Sequence, residues 1–315
     1  MRSSRIFFAS ASAPSAPACA RINSRPLLVD AHAPFLSKIR SWLSPATTSG
    51  SLTLNTIDLS DRQGQGHGNV VVLRIENSEK RGSISGNMML QLAEHIDALE
   101  THEPTGIILA GTGPFFSSGL DLNMAKGLMN TSAMGAEMCA FMTDALNRLR
   151  ASQAISVCVL NAPALGGGME LVTATDFRIM RTSSSGDEGV PFVQSVHAKI
   201  GAAPGWGGAT RLTSIVGRQQ ALGMLGASTK VYSDKALQIG LVDSVYVAED
   251  GEDCVEVGLQ FLEPFLSQKF PGSVRSMKEI VHTADWENEE VAIRTEKAVF
   301  ERRWFGKDNR EALGI

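Results

Sequence analysis

Two turns rich in small residues are the parts of this sequence whose residue types could do chemistry. The first, Gly166-Gly167-Gly168, follows an apolar, β-branched run at 155–160 and precedes a predicted short helix at about 169–175. Glycines let a ligand approach the main chain, and the first N–H groups of a helix lack acceptors and lie at its positive end. The turn therefore predicts a site for an anion or for an oxygen that becomes anionic. Tight packing of the strand against the helix is the alternative interpretation.

The second turn, Ser117-Ser118-Gly119, follows another apolar run at 105–111. Two such turns converging on one carbonyl oxygen would form an oxyanion hole, in which each backbone donor contributes about 3–4 kcal/mol to a transition state. The alternative is a polar surface loop. The sequence contains neither GxGxxG nor GxxxxGK[ST], which disfavours a nucleotide-binding loop.

Glu170 lies three residues after Gly167 and is the acid that the first turn places nearest to its N–H groups. We interpret it as an acid/base group; alternatively, it caps free N–H groups in the first turn of its own helix. No acid occurs between Glu188 and Asp234. Within that stretch His197 is predicted to contact a substrate carboxylate or to relay a proton, with a purely structural histidine as the alternative.

Alternating strands and helices must position these groups, and this alternation predicts an α/β core. Strands are predicted at 69–75, 106–111, 155–160, 177–180 and 241–247. Helices are predicted at 86–100, 137–150, 209–216, 218–225, 233–239, 254–267, 272–282 and 289–305. Residues 182–189 are predicted to form a surface loop.

Composition excludes several classes of function. The formal net charge is −4 and no run of basic residues marks a nucleic-acid track. The four cysteines are scattered without a CxxC pair, so neither a zinc site nor a disulfide framework is predicted. No apolar run is long enough to span a bilayer. We therefore expect no metal, no nucleic-acid partner and no membrane partner.

Residues 1–45 differ in kind from the rest of the chain, being rich in arginine, serine and alanine with Asp30 as their one acid. This composition is typical of an organelle transit peptide, so a mitochondrial location is predicted. A secretory signal ending at 18–20 and a disordered leader without an address are the alternatives. If these residues are a disordered leader without an address, a cytosolic location is expected.

The ordered series FSSGLDL, ALGGGMEL and IGAAPGWGGATRL resembles the crotonase (enoyl-CoA hydratase/isomerase) family, over about residue 54 to the C-terminus. The resemblance implies an α/β, crotonase-like spiral of ββα units with a helical C-terminal oligomerisation region. It divides the chain into a leader at 1–45, a core at 52–250 and a helical region at 251–315. A homotrimer or homohexamer is implied.

The resemblance also implies roles for particular residues. The backbone N–H groups of Ser118 and Gly167 match the oxyanion-hole donors, and Glu170 matches one of the two catalytic glutamates of the hydratases. The position of the second glutamate falls near His197. The remaining positions implied to contact or shape the substrate site are Lys80, Arg81, Gly119, Asp121, Gly166 and Trp206. Among these, the two basic residues suit coenzyme A phosphates, the aspartate fixes a loop, and the tryptophan forms an apolar wall.

The missing second acid favours one reaction of the family. Hydration of a double bond needs water to be activated and a proton delivered to carbon, whereas loss of CO2 leaves an enolate that needs one proton. Together with this feature, the family resemblance implies a lyase that decarboxylates ethylmalonyl-CoA, and methylmalonyl-CoA as well. No cofactor is expected, because the thioester is its own electron sink. The alternatives are a 2-enoyl-CoA hydratase or isomerase and a non-catalytic acyl-CoA- or RNA-binding relative.

Overall fold

A six-stranded sheet lies at the centre of the protein, for which a computed structural model describes residues 26–43, 49–59, 68–182, 190–247 and 253–315. The order of its strands across the sheet is the same as their order along the chain. The strands are β1 (Ser51–Asp58), β2 (Asn69–Glu76), β4 (Gly106–Gly111), β6 (Ile155–Leu160), β8 (Phe177–Thr182) and β11 (Ser244–Val247). β1 pairs antiparallel with β2, and the other neighbours pair in parallel. Parallel neighbours need crossover connections, and helices provide them.

Short strands form a second layer beside this sheet. They are β3 (Ser83–Ile84), β5 (Gly119–Leu120), β7 (Ala164–Leu165), β9 (Phe192–Gln194) and β10 (Val231–Tyr232). β3 pairs in parallel with β5 and β7 with β9, and a bridge between Ser117 and Ala164 links the two pairs. A long strand, a short strand and helical structure therefore follow one another repeatedly along the chain. This arrangement confirms the predicted spiral of ββα units.

Apolar runs form the central strands because both faces of the sheet are covered. All six residues of β4 and all six of β6 are buried. Along β4, Ile107 and Leu109 join one hydrophobic cluster, whereas Ile108 and Ala110 join another on the opposite face. Burial on both faces explains why these strands lack polar alternation.

Helices cover the two faces and extend beyond the sheet. They are α1 (Leu28–Ala31), α2 (Ala33–Trp42), α3 (Gly86–His102), α4 (Leu122–Gly127), α5 (Ser132–Ala151), α6 (Gly167–Val172), α7 (Gly208–Gly226), α8 (Ser233–Gln238), α9 (Cys254–Leu266), α10 (Pro271–Trp286), α11 (Glu289–Arg303) and α12 (Lys307–Leu313). The two helices predicted at 209–216 and 218–225 form α7, which is interrupted at Gly217 with φ 74° and ψ 163°. The sequence analysis missed α1, α2, α4 and α12.

The predicted leader at 1–45 is wrong for residues 26–43. These residues form α1 and α2, and Leu28, Leu36 and Ile39 are fully buried in the main hydrophobic cluster. Their apolar side chains belong to the core because α3 and α5 offer them an apolar surface. The rest of the predicted transit peptide, residues 1–25 and 44–45, lies outside the described residues.

The predicted boundary at residue 250 also changes. Leu259, Leu262 and Leu266 of α9 are buried against the second face of the sheet, so α9 is part of the core. The later helices carry large apolar side chains at the surface: Met277, Val281, Trp286, Ile293, Phe300, Trp304, Phe305 and Leu313. Across the described parts of the chain, no helix has both the length and the apolarity that a bilayer crossing requires. The predicted loop at 182–189 lies outside the described residues from 183 onward.

Candidate active site

The glycine turn between β7 and α6 adopts a backbone that only glycine accepts readily. Gly166 precedes α6 with φ 52° and ψ −119°, and its N–H donates to the carbonyl of Gln194 at 3.0 Å. The N–H of Glu170 already bonds the Gly166 carbonyl at 3.2 Å. The first N–H groups of α6, beginning with that of Gly167, have no acceptor within the helix. The turn thus presents main-chain donors at the start of α6.

The second predicted turn meets the first one. A Cβ atom placed on Gly119 would lie 2.6 Å from the nitrogen of Gly167, and Gly119 has φ 87°. The Leu165 N–H donates to the Ser117 carbonyl at 2.8 Å, which fastens the two segments together. The two loops therefore converge at one place, as the oxyanion-hole prediction requires.

The prediction that Ser118 supplies the second donor is wrong. Its N–H donates to the carbonyl of Arg81 at 2.9 Å, so this group is already engaged within the protein. The Asp121 N–H donates to the Ile84 carbonyl of β3 at 3.0 Å. Successive N–H groups of a strand point to opposite edges, so the Leu120 N–H points away from β3, toward the side where α6 begins. Leu120 is therefore the better candidate for the second donor.

Glu170 is 1% exposed, and its carboxylate accepts hydrogen bonds from the loop that begins α7. Oε2 accepts from the N–H groups of Trp206 at 2.7 Å and Gly208 at 2.9 Å, and Oε1 accepts from that of Gly205 at 3.3 Å. Glu170 thus binds the N-terminus of α7, not that of its own helix α6. Three amide donors at the beginning of α7 therefore hold the carboxylate in place.

His197 lies against this carboxylate, as the prediction of a shared site requires. Its Nε2 is 3.4 Å from Oε1 of Glu170, and its Nδ1 is 3.0 Å from the hydroxyl of Ser195. The imidazole is 13% exposed, and a Cβ on Gly166 would lie 3.9 Å from its Cε1. The ring therefore lies between the glycine turn and Glu170. The direction of the hydrogen bond between Ser195 and Nδ1 depends on the protonation of the ring: the hydroxyl donates to an unprotonated Nδ1 and accepts from a protonated one.

Ser195 was missed by the sequence analysis. Ser195 is fully buried, and its hydroxyl contacts the ring of His197, which is only two positions further along the chain. A serine two positions before a histidine has no distinctive pattern. The sequence shows that the two residues are close in the chain. Only the structure shows that the 3₁₀ turn at His197–Ile200 brings the ring against the hydroxyl.

Arg211 hydrogen-bonds the main chain around Glu170. Its guanidinium donates to the carbonyls of Trp206 at 2.8 Å and Glu170 at 3.1 Å. Burial lowers the pKa of Arg211 to about 10, and the charge of Glu170 opposes that decrease. Because the arginine ties both carbonyls together, it aligns the N–H groups that face the Glu170 carboxylate.

Trp206 packs directly on the glycine turn. A Cβ on Gly167 would lie 2.5 Å from Cζ3 and 2.6 Å from Cη2 of the indole, and the tryptophan is 3% exposed. Its ring therefore supports the main chain that carries the Gly167 N–H. Contact between this ring and a substrate stays a prediction.

The basic residues predicted for coenzyme A lie beside the second donor loop. Lys80 Nζ is 3.6 Å from Oδ2 of Asp121, whose Oδ1 accepts from the Asn123 N–H at 2.7 Å and so caps α4. The guanidinium of Arg81 lies over the ring of Phe115, 5.6 Å from its centroid. Asp121 therefore joins the loop to the start of α4, whereas coenzyme A binding by the two cations stays a prediction.

Comparison with known proteins identifies the family of this chain. The family model described as enoyl-CoA hydratase/isomerase matches residues 65–314. The chain therefore belongs to the enoyl-CoA hydratase/isomerase family, the crotonases, which confirms the resemblance seen in the three motifs.

Curated relatives share one name. The chain is 38% identical to ethylmalonyl-CoA decarboxylase of Bos taurus over 243 residues, covering 77% of this chain and 76% of the relative. It is 38% identical to that of Rattus norvegicus, covering 82% of each chain. It is 36% identical to that of Homo sapiens, covering 80% of each.

Solved structures share the fold. An enoyl-CoA hydratase from Bacillus anthracis superposes with a TM-score of 0.68 at 23% identity, covering 78% of this chain and 91% of that one. Pseudomonas aeruginosa DspI superposes with a TM-score of 0.70 at 24% identity, covering 84% and 92%. At this level of identity the likeness establishes the crotonase fold alone.

Proposed function

We propose that this protein decarboxylates ethylmalonyl-CoA, and methylmalonyl-CoA as well, through a thioester enolate. The observation that carries the proposal is the pairing of one carboxylate, Glu170, with one imidazole, His197, beside two converging donor loops. The name shared by the curated relatives supports the same reaction and an enzyme of the carboxy-lyase class. A hydratase would instead pair two carboxylates at this place.

The first step breaks the bond between Cα and the carboxylate of the substrate. The carboxylate leaves as CO2, and the electron pair of the broken bond moves into the thioester, which becomes an enolate. The N–H groups of Gly167 and Leu120 would hold the enolate oxygen. Donors fixed by the main chain need no reorganisation as the negative charge develops.

The second step delivers one proton to Cα. The Glu170 carboxylate already accepts three amide hydrogen bonds, so both of its oxygens are engaged by the loop that begins α7. His197 has Nε2 within 3.4 Å of Oε1 of Glu170 and lies beside the glycine turn. We therefore assign proton delivery to His197 and stabilisation of its charge to Glu170. Together the two steps consume the substrate and one proton and yield butyryl-CoA and CO2.

The remaining expectations about partners belong to the same proposal. Lys80 and Arg81 lie beside the second donor loop, where cations suit coenzyme A phosphates. The reaction as written needs no cofactor, because the thioester accepts the electron pair. The exposed apolar side chains of α10–α12 fit a homotrimer or homohexamer. A mitochondrial location rests on the composition of residues 1–25, with a cytosolic location as the alternative.

A substrate panel tests the proposal. The purified protein is incubated with ethylmalonyl-CoA, methylmalonyl-CoA and crotonyl-CoA, and the products are identified by mass spectrometry. We expect CO2 with butyryl-CoA and propionyl-CoA from the first two substrates, and no hydration of the third. Formation of 3-hydroxybutyryl-CoA from crotonyl-CoA, without decarboxylation, would assign the protein to the hydratases. Binding of all three thioesters without turnover would indicate a non-catalytic relative.

A further inference from the structure

Residues 26–43, the N-terminal strap, dock on the core through apolar and polar contacts together. Leu28, Leu36 and Ile39 are fully buried, and Phe35 is 3% exposed. The Phe35 ring lies 5.4 Å from that of Phe141 on α5. A segment that buries its large apolar residues this completely is part of the folded domain.

Buried charged groups fix the first end of the strap. Asp97 of α3 accepts from the N–H of Leu28 at 2.7 Å through Oδ1 and from that of Val29 at 3.1 Å through Oδ2. Arg148 of α5, whose side chain is 5% exposed, donates to the Pro26 carbonyl at 3.0 Å. These directional contacts set the position of α1 along the core surface, which apolar packing alone would not do.

The other end of the strap reaches α4. A Cβ on Gly127, the last residue of α4, would lie 2.8 Å from Cζ2 of Trp42. At the start of α3, a Cβ on Gly86 would lie 3.0 Å from Ile39 and 3.6 Å from the sulfur of Met124. The end of α2 and the helix α4 therefore pack together around these two glycines.

α4 is joined directly to the donor loop. It begins at Leu122, immediately after Asp121, and the candidate donor Leu120 precedes that cap by one residue. α4 has six residues, too few to be a stable helix on its own, so packing must hold it in place. Asp121 alone separates α4 from Leu120 along the chain.

We propose that the N-terminal strap is a permanent part of the folded domain and that, within it, Trp42 is a positioning residue for α4 and the donor loop. The kinetic part of this inference rests on the proposed decarboxylase function. It follows that processing of a leader must leave residues 26–43 in place. A displacement of about 1 Å at a catalytic group can lower the rate about 10²-fold, so a partial loosening lowers kcat about 10-fold.

The experiment compares Trp42→Ala and Trp42→Phe with the control Phe35→Leu, which alters the same helix where it contacts α5. Hydrogen–deuterium exchange of peptides covering 119–127 is measured together with Tm and with kcat and KM for ethylmalonyl-CoA. We expect Trp42→Ala to raise exchange in 119–127 and to lower kcat about 10-fold. Trp42→Phe keeps an aromatic ring, so we expect it to raise exchange in 119–127 only about two- to threefold and to lower kcat less than Trp42→Ala does. We expect Phe35→Leu to lower Tm without changing exchange in 119–127 or kcat.

Unchanged exchange and kcat in Trp42→Ala, or equal changes in Phe35→Leu, would overturn the inference. Where Trp42→Ala does not fold, Trp42→Phe against Phe35→Leu decides it, with a two- to threefold rise in exchange expected for the first alone. A wild-type protein that releases no CO2 contradicts the proposed function, whereas the exchange comparison still tests the strap.

Discussion

Replacing Glu170 by glutamine tests the proton-delivery pair most directly. With its oxygen in the place of Oε2, the new amide still accepts from the N–H groups of Trp206 and Gly208. Its NH2 group then takes the place of Oε1, where it cannot accept from the Gly205 N–H and donates toward Nε2 of His197. The imidazole then accepts a hydrogen bond where it formerly carried the proton.

The expected magnitudes follow from these contacts. Loss of one hydrogen bond to a charged acceptor lowers the free energy of unfolding by about 1.5–3 kcal/mol. Loss of general acid catalysis lowers kcat by about 10²–10⁴-fold. KM changes little, because the carboxylate of Glu170 faces the loop before α7 and His197 and not the coenzyme A moiety in the proposed site.

The assay is steady-state formation of butyryl-CoA from ethylmalonyl-CoA, with Tm as the measure of folding. Glu263→Gln is the matched control, because Glu263 lies exposed on α9 and its change should leave kcat unaltered. His197→Gln and the double variant complete a cycle. If the two side chains act as a unit, the double variant loses no more activity than either single variant. A folded Glu170→Gln protein with wild-type kcat would refute the reasoning, as would losses that multiply in the double variant.

Three further substitutions test other parts of the structure. Gly119→Ala places a Cβ 2.6 Å from the Gly167 nitrogen at φ 87°, and we expect kcat/KM to fall about 10²-fold; an unaltered value would contradict convergence of the loops. Lys278→Met removes the cation 2.6 Å from Asp176, and chemical denaturation should show a loss of about 3 kcal/mol. Burial and nearby cations lower the pKa of His282, so the unfolded chain binds more protons than the folded one near pH 6.5. The stability that neutral His282 contributes is therefore lost as pH falls below that value. From pH 7.5 to 5.5, the Tm of His282→Gln should decrease less than that of the wild type. An equal decrease in both proteins would exclude His282 as a source of the pH dependence.

The sequence by itself determined the family, the α/β core and the place of the glycine turn. The motif around Gly167 and Glu170 is local, so a short stretch of chain was enough to indicate main-chain donors with an acid beside them. The absence of a second acid near His197 was equally visible, because it needs only the order of residues. Buried strands such as β4 and β6 were predictable since apolar runs of that length need cover on both faces.

Only the tertiary structure decided which N–H of the second loop faces the site. The sequence indicated Ser118, but its N–H donates to the Arg81 carbonyl, and the bond from Asp121 to Ile84 turns the Leu120 N–H away from β3. The sequence likewise did not predict that Glu170 accepts hydrogen bonds from the start of α7, or that residues 26–43 dock on the core. Both depend on groups far apart in the chain, such as Gly208 for Glu170 and Asp97 for Leu28. Local patterns carry no information about such pairings, because the partner is chosen by the packing of the whole fold.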